Sequence, residues 1–209
     1  MDGVFMKKII KLTMFMFFVA AVLGIRDLWQ DNQTLKENVI RLHVVGNSNS
    51  TYDQQMKLRL KDEITAYLQP IVEKFSSKEE AMKYIRENLS GLQTFSNSVL
   101  ERLGVKERAV VTLQPEAFDA RVYDTFSLPS GVYDALRIEI GEADGKNWWC
   151  VVFPSLCLPA TSTDFQDTAV SAGFSTHLSK TITNNGKYEV RFFLLDCIGK
   201  LENLLVKTH

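Results

Sequence analysis

VIRLHVVGNSNSTYDQQMKLRLKDEI, Val39 to Ile64, changes its hydrophobic period in the middle. Ile40, Leu42 and Val44 alternate with Arg41 and His43, the pattern of a half-buried strand. GNSNST turns the chain, and Ser50 followed by Asp53 resembles a capping box, because the hydroxyl can accept an early orphan amide while the carboxylate suits the helix dipole. Met56, Leu60, Ile64, Tyr67, Ile71 and Phe75 then recur at steps of three and four, which predicts one buried helical face kinked near Pro70.

Downstream, Ser77 with Glu80 caps a second predicted helix carrying Met82, Ile85 and Leu89. Ser90 is read as the cap of a third, which ends at Gly104. From there the period becomes 2, and Ala109–Leu113, Ala120–Asp124, Tyr133–Ile140 and Trp148–Phe153 read as strands separated by Leu128-Pro129-Ser130-Gly131 and Asp144-Gly145. Ala160–Asn185 lacks sustained periodicity and reads mainly as loop. Val190, Leu194, Cys197, Leu201, Leu204 and Leu205 mark the apolar face of a final helix, whose start could instead be a short strand, YEVRFF. Helices and strands segregated along the chain predict an α+β fold, an antiparallel meander with helices packed mainly on one face, in a single domain.

Of 209 residues, 45% are apolar and 23% charged, with a net charge of -1, an ordinary globular balance without the basic excess of a nucleic-acid binder. The N-terminus departs from that balance. Lys7, Lys8 and Lys11 precede the uncharged run Leu12–Ile25, and Arg26 closes it. Fourteen residues fall short of the ~20 of an ordinary span and fit a secretory core. Ile9 and Ile10 extend the run if Lys11 snorkels. Residues 1–26 are therefore read as a signal peptide or an N-terminal membrane anchor, 27–38 as a linker and 39–206 as the domain. Beyond residue 26 the chain carries 20 basic against 24 acidic side chains, so anionic lipid offers it nothing and membrane contact is expected through the N-terminal segment only.

Candidate chemistry is sparse. Three histidines and three cysteines without a CxxC pair predict no metal site and no cofactor. Cys150 and Cys157 are spaced to form a disulfide if Pro154 turns the chain. Cys150 with His43 as base is the one nucleophile pair available, for an exported hydrolase, and core packing explains Cys150 as well. Two polar clusters stand out. Asn47, Ser48, Asp53, Gln54 and Lys57 lie on the strand-to-helix turn, where Asp53 and Lys57 flank the buried face within reach of a partner, and Gln54 and Lys57 are expected to be alterable with little effect on folding. Asn147 and Trp148 begin the KNWWC strand, in which Trp148 and Trp149 must point to opposite faces. Both clusters are read as partner-binding surface, with an exposed tryptophan also compatible with a cell-wall binding module.

The Val39–Ile64 stretch and LPSGVYDALRIEIGEADGKNWWCVVFPSLC, Leu128–Cys157, closely resemble the stage II sporulation protein R family of endospore-forming bacteria. The likeness covers most of residues 39–158, and the GxxxGxNWWCVxFPxLC run is its specific part. It implies a non-enzymatic signalling protein exported into the space between forespore and mother cell. Its implied partner is a membrane-embedded protease that processes the precursor of a mother-cell sigma factor.

Overall fold

The computed structural model describes residues 3–154, 169–170, 174–183 and 190–207. Strand β1, Ile40–Val45, is buried along its whole length. Ile40, Leu42 and Val44 face a first core formed by α2 (Thr51–Val72), α3 (Lys78–Glu87) and α4 (Leu89–Arg102). Ser50 and Ser77 cap α2 and α3 as their sequence predicts, accepting from the Asp53 and Glu80 amides. The α4 start differs: Asn88 occupies the cap without a side-chain bond there, and its amide bonds back to the Tyr84 carbonyl. Along α2 the buried apolar set is Met56, Leu60, Ile64, Leu68 and Val72, so the face drifts away from Tyr67 and Ile71 after Ile64.

The main sheet has the order β2-β5-β1-β6, where β2 is Ala109–Phe118, β5 Gly131–Ile140 and β6 Asn147–Phe153. This departs from a meander. β1 inserts between β5 and β6, parallel to the first and antiparallel to the second. The loop after β5 therefore arches over the end of β1 instead of closing a hairpin. β2 lies at an edge, where a free ladder invites unwanted pairing. Here the amides of Ala109 and Val111 donate to the side chains of Asn97 and Gln93, and Pro115 has no amide to offer.

A second helical layer lies on the other sheet face. It comprises the end of α1 (Gly3–Asn38), α5 (Thr176–Ile182) and α6 (Val190–Lys207), with the two-stranded β3 (Arg121–Val122) and β4 (Ser127–Leu128) beside them. Leu35, Val39, Phe118, Tyr133, Val151, Leu178 and Leu195 form its core. The α+β class holds, with helices on both faces. Residues 27–38 are not a linker: they continue α1, and Leu35 and Asn32 are buried because this last third packs on the sheet. Ser175 caps α5 inside the segment read as loop, and residue 190 onward is helix instead of strand.

Candidate functional site

The turn after β1 and the loop after β5 interlock through main-chain and side-chain hydrogen bonds. The amides of Asp144 and Gly145 donate to the carbonyls of Asn47 and Gly46 at 3.1 and 2.9 Å. Asn47 Oδ1 accepts from the Glu142 amide at 3.1 Å and Asn49 Oδ1 from the Lys146 amide at 3.0 Å. Glycines are required at this contact. Gly141 has φ +56°, and a Cβ there would overlap the Asn47 side chain. A Cβ on Gly145 would lie 2.5 Å from the Ser48 carbonyl oxygen and 2.6 Å from that of Gly46.

Behind the turn, Ser48 and Asn47 donate to the Asp53 carboxylate at 2.5 and 3.1 Å. These bonds, Ser48 foremost, hold Asp53 below its usual value against the opposing effect of burial. Gln54 donates to the Ser48 carbonyl at 2.7 Å. Lys57 is only 3% exposed, and its ammonium donates to Gln54 Oε1 at 2.7 Å and to the Lys146 carbonyl at 2.8 Å. Burial, then the nearby Lys146 charge, pushes the Lys57 ammonium below the usual lysine range. The expectation that Lys57 is a dispensable flanking residue is thus corrected: it is the buried pin of the knot. Asn49, Tyr52, Lys146, Asn147 and Trp148 are among the residues exposed here.

The two tryptophans diverge as alternation requires. Trp148, 37% exposed, lies on the α2 side with Lys61 Nζ 4.8 Å from its ring centre. Trp149 lies on the opposite face, stacked on His43 at 5.6 Å and covered by the Arg121 guanidinium at 3.7 Å. Cys150 is opposite Leu42 and belongs to the first core, whereas His43 is opposite Trp149 on the other face. The sheet therefore separates the two members of the nucleophile pair. Cys150 is moreover disulfide-bonded, and its expected partner Cys157 lies outside the described residues. Cys197, on the apolar face of the final helix, is exposed and free.

The sequence reading missed a polar group on the second sheet face. His43 Nδ1 is 2.8 Å from Glu116 Oε1, and its Nε2 is 2.8 Å from Asn147 Oδ1. Arg137 donates to Glu116 at 2.6 Å and to Glu139 at 2.7 Å. Burial works to raise the Glu116 carboxyl, but the bonds and charges of His43 and Arg137 outweigh it and hold the group below its usual value. Next to this group Arg41 is fully buried over the Phe118 ring at 4.2 Å, with one hydrogen bond, to the Tyr123 hydroxyl. Among the described residues its Nε and Nη1 have no partner. The only sequence signal was that Arg41 and His43 alternate on one side of a strand, which resembles a solvent face until a second layer covers it. Toward Glu139 that layer stops, leaving Val110 and Gln114 exposed beside Glu116 and Arg137.

The interlocked turn and loop lie in the two stretches that carry the sequence resemblance. The family model described as stage II sporulation protein R matches residues 36–163. Stage II sporulation protein R of Bacillus subtilis (strain 168) is 33% identical over 123 residues, 59% of this chain and 55% of that protein, so the likeness spans about half of the relative's length. No solved structure matches. With the family model covering more than half of its length, from the end of α1 through β6, this chain belongs to the stage II sporulation protein R family.

Proposed function

We propose that the chain is an exported sporulation signal that activates a membrane-embedded protease across the septum, triggering processing of the precursor of a mother-cell sigma factor. Family membership is the observation that carries this reading. The apolar helix at the N-terminus supports it, being long enough to direct export or to anchor the chain. A ligand-like activator needs differential affinity for the active state of its target and no chemistry of its own. Its contact surface on this reading is the solvent side of the knot: Asn49, Tyr52 and Trp148. These side chains sit on rigidly tied backbone, which lowers the ordering cost of binding.

The test is reconstitution of the protease and its precursor in vesicles, with the purified chain added on the extracytoplasmic side. Dose-dependent precursor cleavage is expected, and a Trp148→Ala variant should need a higher dose while melting normally. Precursor processing that is equal with and without the chain refutes the activator reading.

A further inference from the structure

The final helix presents the wrong side to the domain for an ordinary amphipathic element. On α6 the buried positions are Leu195, Asp196, Gly199 and Asn203, mostly small or polar. Each polar one has a specific duty. Asp196 accepts from the Ser130 amide at 3.0 Å, and Asn203 donates to the Phe118 carbonyl at 2.8 Å. At Gly199 the backbone approaches the Ser130 carbonyl so closely that any Cβ would overlap it. At 100° per residue these positions occupy one half of the wheel. Leu194, Cys197, Leu201, Leu204 and Leu205 occupy the other, and Leu194 is 40% and Leu201 62% exposed. The apolar stripe predicted as a core face therefore points outward.

From these observations we infer that the outward stripe of α6 lies on the lipid surface beside α1. The inference rests on reading α1 as a retained membrane segment. α6 is packed on the last third of that helix, where Glu202 pairs with Lys36. With Ile9–Ile25 in the hydrocarbon, 17 residues at the lower end of what spans a bilayer, the 53% exposed Trp29 falls about 6 Å further along the axis, at headgroup level. Lys36 then stands about 16 Å above the hydrocarbon. The headgroup layer occupies roughly 5 to 8 Å of that, and a helix with its side chains reaches about 5 Å from its axis. A tilt near the ~20° average of membrane helices closes most of the remainder. An inserted α1 thus brings the α6 turn that carries Glu202 to within a few ångströms of the bilayer surface, so that only a short step remains to bury the stripe.

This contact is apolar, so it does not conflict with the excess of acidic side chains in the domain. It predicts binding to neutral lipid that salt does not weaken.

The full chain, labelled at Cys197 with an environment-sensitive fluorophore and reconstituted into phosphatidylcholine vesicles, tests it. Cys150 is already bonded, so Cys197 is the free thiol among the described residues. Expected are co-flotation with the vesicles, a blue shift with a several-fold rise in emission at Cys197, and quenching by lipids carrying a nitroxide near the headgroup. Leu201→Glu should reverse the shift and the quenching without preventing flotation. A label on Arg102→Cys in a Cys197→Ser background, on the opposite face, should stay water-like. Flotation with a water-like Cys197 label overturns the stripe assignment while leaving the anchor reading intact. Failure to float overturns both. Protection of Cys197 that appears only as oxidised dimers, or only on adding the protease, assigns the stripe to a second copy or to that protein and refutes the lipid contact.

Discussion

Reversing the charge at Lys57 should unfold the knot that joins the two loops, and its size follows from what the ammonium touches. It holds two acceptors, Gln54 Oε1 and the Lys146 carbonyl, in a site that is 3% exposed. Hydrogen bonds to a charged group contribute about 1.5 to 3 kcal/mol each. Against this stands the burial of the charge itself, which already pushes the ammonium below its usual range. Lys57→Met keeps the stem and removes both terms, so the two partly cancel and a loss of about 1 to 2 kcal/mol is expected. Lys57→Glu instead places an acceptor-only carboxylate against the Lys146 carbonyl, at about 3 to 5 kcal/mol, the usual result of an uncompensated buried charge. In a domain of this size that lowers the melting temperature by about 6 to 20 °C. Thermal and urea unfolding of the chain in detergent, followed by circular dichroism, gives both numbers, with exposed Tyr52→Ala as a control expected within about 0.5 kcal/mol. Melting of both the Glu and the Met variants at the wild-type temperature would show that the site does not require a donor, and the knot as described would be wrong.

Gly199→Ala should destabilise by about 1 to 3 kcal/mol, because overlap with the Ser130 carbonyl outweighs the ~1 kcal/mol helix preference of alanine; a raised urea midpoint refutes the close approach. Glu116 has a depressed pKa in the folded state, so its contribution is present above its ordinary value of 4.5 and is lost as pH falls through the folded value. Glu116→Gln should accordingly flatten the acid limb of the stability profile below about pH 5, and an unchanged limb counts against the His43 and Arg137 contacts. Arg41 is buried with no ion pair among the described residues, so Arg41→Met should change stability by less than about 1 kcal/mol, cation-π loss offsetting relief of the buried charge. A loss well beyond that, measured by the same urea titration, would mean that the charge itself is required.

Short-range features were legible without coordinates. The β1 alternation, the Ser50 and Ser77 caps and the opposed tryptophans follow from periods of 2 and 3.6 and from hydroxyls placed three residues before an amide, all of which act within one element. The same rules located the knot residues but not their duty. Lys57 lies at the edge of the α2 stripe, and nothing local says that a loop 89 residues away presents a carbonyl to it.

What the sequence by itself determined was the kind of chain: an apolar N-terminal segment, the α+β class, most of the strands, the Ser50 and Ser77 caps, and the family pattern of the two glycine-containing blocks. Only the tertiary structure decided the neighbours. Alternation states that one side of β1 is apolar, but its pairing with β5 and β6 is set by non-local hydrogen bonds, so the insertion of β1 replaced the expected meander. It also decided which side of each element is covered. Arg41 and His43 became interior because a second layer lies over them, and the leucine stripe of α6 became exterior. That reversal has a physical cause: the polar half of α6 makes bonds to Ser130 and Phe118 and allows a backbone approach at Gly199 that bulky leucines would block.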